Sequence, residues 1–326
     1  MKTIIAATAL IAGLVATASA EQCKPLQRYG QVAFQTDETA HIYLPATLGG
    51  FQTRLMLDTG AYWSLVRNEL VTQLNLPTKT NYNLVLFDGG GNKIDKSVVI
   101  PNFTLGQLKF GAAEFFVSGL FAGSPLTERA GVVGQNVFTQ VDLEIDNAGK
   151  TISIFSQDHC PGDGVYWADE AVVLKYDREG ARRMKVASRI KRGIDKNQID
   201  EPIVSAELQG QPITVLFDTG ATKTSMDIEF ARRVFNITPQ TPGMEPAGQV
   251  MVGTGARIDT WRYTFKELVI SGIRFENVPV LLGDFKDRAG VILGMNEMKH
   301  LRLYFAFREG AIYVTAADAG RPQAPR

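Results

Sequence analysis

The chain has 326 residues, enough for about two domains that each bury a substantial core. It is 45% hydrophobic and 21% charged, with Lys+Arg and Asp+Glu both at 34. A net charge of zero gives no footprint for nucleic acid or an anionic membrane surface, and the composition excludes a disordered or fibrous chain.

The first twenty residues read as a targeting segment: Lys2, the apolar stretch Ile4 to Val15, then Ala18-Ser19-Ala20 as a small-residue cleavage site. The apolar stretch falls short of the roughly 20 residues that span a bilayer, so no stable membrane insertion is expected. Export to a periplasmic or extracellular location follows, with the mature chain starting near Glu21. Two cysteines remain, Cys23 and Cys160. In an oxidising compartment an even count favours a disulfide between them, two buried thiols being the alternative. His41, His159 and His300 are scattered and match no metal-ligand spacing, so neither a metal nor a cofactor is expected.

The chain then repeats itself. Leu55-Met56-Leu57-Asp58-Thr59-Gly60-Ala61 returns as Val215-Leu216-Phe217-Asp218-Thr219-Gly220-Ala221, an offset of 160. Val132-Val133-Gly134-Gln135-Asn136 returns at the same offset as Ile292-Leu293-Gly294-Met295-Asn296. Between them, Leu108-Lys109-Phe110 answers Ile273-Arg274-Phe275 at 165. Order is kept and the offset drifts little, which marks a duplication with small insertions.

Each copy opens with a hairpin turn, at Leu48-Gly49-Gly50-Phe51 and Leu208-Gln209-Gly210-Gln211, leading into an apolar run. That run reads as a strand covered on both faces. Short helices are expected near Arg67–Leu74 and Asp227–Phe235. Next come hairpins, Tyr82–Phe87 with Lys93–Ile100 and Gln249–Val252 with Arg257–Phe265. Their tips are Gly-rich, at Gly89-Gly90-Gly91 and Gly253-Thr254-Gly255, as loops over a cleft need to be. Between the copies runs a connector with eight Lys or Arg from Arg178 to Lys196, including Arg182-Arg183 and Lys191-Arg192. It reads as a solvated connector or charged edge strand, with a contact or processing site as the alternative. The segments are a targeting segment 1–20, a first lobe 21–157, a connector 158–200, a second lobe 201–318 and a tail 319–326.

One Asp-Thr-Gly is a common turn; two, each after a buried strand and each followed by an apolar-apolar-Gly-x-Asn, are not. The sequence resembles the aspartic proteases, and within them the retropepsin-like branch in its two-lobed, signal-bearing bacterial form. Val133-Gly134-Gln135-Asn136 is similar to the Gly-Arg-Asn segment of retroviral proteases, and the Ala after each Asp-Thr-Gly points the same way. The resemblance covers residues from about 30 to 316 and implies an all-β fold of two pseudo-symmetric acid-protease barrel lobes with a cleft between them. It implies Asp58 and Asp218 as the catalytic pair acting on a polypeptide substrate. Two carboxylates sharing one proton can deprotonate a water and polarise a carbonyl at once. Thr59 and Thr219 are then expected to hydrogen-bond across the lobes, Gly60, Ala61, Gly220 and Ala221 to shape the loops, and Gly134 and Gly294 to lie beneath them. Gln135 and Met295 stand where the retroviral Arg would be, and Tyr62-Trp63 and Thr222-Lys223 follow the two Ala. Subsites near Tyr62 and Trp63 are therefore expected to be the more apolar. One chain carries both Asp, so a monomer is expected, and no long basic pro-segment fits between Ala20 and the first strand. The rival reading is a non-catalytic peptide- or ligand-binding protein on the same fold.

Overall fold

The computed structural model describes residues 23–82, 84–87, 92–138, 141–184, 201–251, 256–286 and 290–320. The targeting segment, both Gly-rich hairpin tips, the pair Lys191-Arg192 and the last six residues of the tail lie outside the described residues. The structure is mainly β, with short helices.

Each half closes a barrel. In the first, eight strands run in the order 35–36, 42–48, 51–57, 131–133, 65–67, 108–118, 96–105, 78–80, and 42–48 also pairs with 96–105. In the second, seven run in the order 203–208, 211–217, 291–293, 225–227, 273–283, 257–270, 245–251, closed by pairing of 203–208 with 257–270. The duplication is exact in register where it matters: Met56 faces Val132 in a parallel pair, and Leu216 faces Ile292.

The entry hairpins fold as their residues require. Gly49 and Gly50 sit at φ +58° and +90°, and Gln209 and Gly210 at +49° and +75°. Two successive left-handed residues match the twist of the flanking strands. The helices form at Asn68–Gln73 and Ile228–Phe235. Asp227 caps the second, its carboxylate accepting from the N–H groups of Glu229 and Phe230, both at 3.0 Å.

A six-stranded sheet joins the halves, in the order 28–33, 151–155, 142–146, 301–306, 311–316, 172–175. Its central pair brings one strand from each half, with Leu143 facing Phe305 and Ile145 facing Leu303. One face is apolar and feeds the core through Leu143, Ile145, Leu303 and Phe305, all fully buried. The other face is polar yet also buried. Arg302 donates to Glu144 from Nε at 2.8 Å and lies over the Trp167 ring at 4.2 Å. The chain 157–167 that covers this face is tied down by the Cys23–Cys160 disulfide, Cα atoms 4.8 Å apart.

Two expectations need correction. The first-half hairpin is shorter than the sequence suggests: among the described residues only Leu86–Phe87 pairs with Lys93–Ile94. The strand Lys96–Leu105 instead pairs with Thr78–Thr80 and Leu108–Ser118, because its alternate apolar residues Val98 and Ile100 belong to the barrel core. The basic connector, where described, is neither extended nor wholly solvated. Arg178–Met184 is a helix whose Ala181 and Met184 pack on Ile203, Leu216 and Ile292.

Candidate active site

Each buried strand delivers its Asp to the centre of the molecule. The N–H of Asp58 donates to the Val133 carbonyl at 3.0 Å, and that of Asp218 to Leu293 at 3.1 Å. Beyond that point the chain turns, and the turn feeds backbone donors to the carboxylates. Ala61 N–H donates to Asp58 Oδ1 at 2.7 Å, and Gly220 N–H to Asp218 Oδ1 at 2.8 Å.

The two carboxylates come together in the cleft, each lying against the glycine of the opposite loop. A Cβ on Gly60 would fall on the Asp218 carboxylate, and a Cβ on Gly220 would fall on that of Asp58. The glycines are thus required by the opposite carboxylate, which is what lets the halves close. Burial, and then the charge and hydrogen bond of Asp218, push Asp58 well above the ordinary carboxylate range. Aspartic-protease carboxylates sharing one proton are the standard instance of this effect.

The threonines lock the loops together across the axis. Thr59 Oγ1 donates to the Phe217 carbonyl at 2.6 Å and accepts from Thr219 N–H at 3.0 Å. Thr219 Oγ1 donates to the Leu57 carbonyl at 2.8 Å and accepts from Thr59 N–H at 3.1 Å. Both side chains are buried. Beneath the loops, a Cβ on Gly134 would stand 2.6 Å from the Ala61 carbonyl oxygen, and one on Gly294 2.6 Å from the Lys223 carbonyl carbon. Gln135, buried in the position of the retroviral Arg, donates its amide to the Thr59 carbonyl at 2.6 Å.

The Asp pair lies in a cleft of about 1160 Å³. Tyr62 and Trp63 line it and also pack on the apolar cluster of Met56, Leu65 and Phe116. Trp63 is fixed by donation from Nε1 to the Glu114 carbonyl at 3.2 Å. Burial, then the charge of Glu201, push the Tyr62 hydroxyl up to about 12. The far wall carries the polar Thr222 and exposed Lys223 but also Ile203, Leu216, Leu281 and Ile292, so both walls present apolar surface. The strands leading to the hairpin tips border the cleft through Leu86, Ile94, Val250 and Met251.

Three cleft residues escaped the sequence reading. His41, just before the strand Ile42–Leu48, places Nε2 3.1 Å from the Gly220 carbonyl and 3.0 Å from Thr222 Oγ1. Asp37 stands behind it, and Arg129 bonds Asp37 at 3.3 Å while lying over the Tyr43 ring at 5.1 Å. Burial works against the Asp37 charge, but the Thr39 hydroxyl and His41 more than offset it, so its carboxyl is lowered from the usual value. The 160-residue offset was the available signal: it pairs His41 with Glu201 and Tyr62 with Thr222. Among the described residues no group of three or more His, Cys, Asp or Glu could hold a metal ion, and no helix is long and apolar enough to cross a membrane.

The family profile "Aspartyl protease" matches the chain twice, over residues 44–137 and 204–296. The chain belongs to the aspartyl protease family. Each match spans one barrel and its Asp-Thr-Gly-Ala loop, so the internal duplication and the two pseudo-symmetric lobes are the family unit used twice. Similar solved structures include a retropepsin-like aspartic protease from Rickettsia conorii, 15% identical, covering 41% of this chain and 95% of that one, TM-score 0.30. Another is the aspartic proteinase from Irpex lacteus, 12% identical, covering 91% and 99%, TM-score 0.47. No curated protein matches the sequence significantly. Family membership supports a protease activity and a polypeptide substrate.

Proposed function

We propose that the protein is an aspartic endopeptidase in which Asp58 and Asp218 activate a water held between them. The observation that carries this reading is the meeting of the two carboxylates on loops that each need a glycine to admit the other. One carboxyl of the pair, protonated, donates a hydrogen bond to the scissile carbonyl, and the other, ionised, accepts the proton from the water. The tetrahedral intermediate then collapses as a carboxyl group protonates the leaving amine.

An extended peptide would lie along the cleft, its subsites bordered by Tyr62 and Trp63 and by Leu86, Ile94, Val250 and Met251. One chain carries the whole site, so it would act as a monomer, with activity per chain unchanged on dilution. The N-terminal targeting segment and the disulfide support export to an oxidising compartment, periplasmic or extracellular.

The test is incubation with a peptide library across acid and neutral pH, with Asp58→Asn and Asp218→Asn as controls. Cleavage by the wild type alone is expected. A wild type that binds peptides and cleaves none at any pH overturns this reading.

A further inference from the structure

His41 lies outside the Asp-Thr-Gly-Ala loops, yet it crosses from the first half to the loop that carries Asp218. Its hydrogen-bond partners hold the ring from both sides. Asp37 Oδ1 accepts from the Thr39 N–H at 2.9 Å, the Thr39 hydroxyl at 2.6 Å and the His41 N–H at 3.1 Å. The Thr39 hydroxyl also stands 2.8 Å from His41 Nδ1, so its one proton can serve either partner. On the other side of the ring the Gly220 carbonyl can only accept, so Nε2 carries a proton.

We infer that His41 is the positioning residue for the Asp218 loop. It grips Gly220 by the carbonyl while the N–H of the same residue holds the Asp218 carboxylate. The Thr222 hydroxyl shares the grip, two residues further on. Asp37 backs the ring, with Oδ2 3.6 Å from Nδ1. The Asp58 loop is held differently, by the Gln135 amide on the Thr59 carbonyl. Glu201, the equivalent residue of the second half, is acceptor-only when ionised and acts on Tyr62, the equivalent of Thr222. Neither could hold a carbonyl of the Asp58 loop as His41 holds Gly220.

The ionisable groups around the ring are Asp37 and Arg129 behind it, Tyr43 edge-on at 6.5 Å, and Asp218 and Lys223 on the loop it grips.

This inference rests on the proposed reading of Asp58 and Asp218, and the experiment separates the two. The kinetics of the full chain on a peptide substrate are measured beside the ¹⁵N resonances of the His41 ring and the Gly220 amide. His41→Phe should lower kcat about tenfold while KM stays within about twofold. Its Gly220 amide should shift, with circular dichroism checking that it folds. His41→Gln keeps an N–H donor and should recover part of the loss. An Nε2 without a proton in the wild type, or a Gly220 amide that His41→Phe leaves unmoved, overturns the inference. If the wild type cleaves nothing, the endopeptidase reading fails, and the ring and amide resonances still decide the grip.

Discussion

The two halves of this chain are copies that stayed alike in one place and diverged in another. On the floor of the cleft they are interchangeable: each Asp takes a backbone N–H from its own loop, each Thr bonds across, and each Gly makes room for the opposite carboxylate. On the shared sheet, residues 160 apart keep their apolar members, Leu143 with Leu303 and Ile145 with Phe305. Their polar members have become complements. Asp142 corresponds to Arg302 and Glu144 to Tyr304, and the structure pairs Glu144 with Arg302 and Asp142 with Tyr304. A duplicated chain that meets itself about a two-fold axis must avoid facing like charges, and divergence of the buried polar face does that. Where chemistry needs two equal groups the copies were held equal, and where packing needs opposite groups they drifted apart.

The sharpest way to break the equivalence on the floor is to remove one carboxylate. Asp58→Asn and Asp218→Asn should each lower kcat by about 10³-fold or more, since one carboxylate cannot hold and release the shared proton. Both should stay folded. For Asp58 the raised proton affinity means that its ionisation destabilises the folded state. Stability is full below the unfolded carboxylate range and is lost as pH rises through the folded value. Asp58→Asn should therefore match or exceed the wild type in thermal stability at neutral pH. A melting temperature well below that of the wild type would show that the pair holds the lobes together.

The shared sheet answers to different tests, because what covers its polar face is a tethered segment. The disulfide closes a loop of 137 residues. Its removal in Cys23→Ser with Cys160→Ser should cost up to about 4–5 kcal/mol in the chain-entropy picture, read from denaturant unfolding. Activity below the melting temperature should change little, which separates this region from the floor.

Beneath that tether, Asp142 receives His159 Nε2 at 2.9 Å and the Tyr304 hydroxyl at 3.2 Å. Burial raises Asp142 from 3.8 to about 6, with His159 opposing it. His159 is also raised, its bonds to the Cys160 carbonyl and to Asp142 outweighing burial. Both folded values lie above the unfolded ones, so both groups contribute most at low pH. Their contribution declines from about pH 4 upward through about 6 for Asp142, and later for His159. The stability difference between wild type and Asp142→Asn should fall by about 3 kcal/mol over the Asp142 window. A difference that rises with pH would mean that the pair is ionised at no cost.

The sequence made the floor legible because its geometry is local. A strand, a tight turn and a glycine are written in consecutive residues, and repetition at 160 doubled the signal. The entry hairpins and both helices were legible for the same reason. The shared sheet was not, since Leu143 and Phe305 meet only after each half has closed. The alternation Asp142-Leu143-Glu144-Ile145-Asp146 has the pattern of a strand with one apolar face, a signal the sequence reading did not take up. It ordinarily means that the polar face meets water; here that face is buried under the chain 157–167. His41 was hidden for a related reason, because its partners Gly220 and Thr222 are about 180 residues away.

The smallest effect tests how equal the two copies are. Thr59 and Thr219 each make one donated and one accepted bond across the axis, at lengths that differ little between them. Val keeps the shape and loses both bonds, leaving a buried carbonyl and a buried N–H unpaired. That should cost about 1–3 kcal/mol at either site. Ser keeps the hydroxyl and loses one methyl, so it should cost about 1 kcal/mol. If the floor is symmetric, Thr59→Val and Thr219→Val lower kcat and stability alike. Each loop is also held a second time, the Asp218 loop by His41 at Gly220 and the Asp58 loop by Gln135 at Thr59. Adding His41→Phe should therefore deepen the loss of activity in Thr219→Val more than in Thr59→Val. An equal deepening of both, or none, would mean that the threonines alone set the loop geometry.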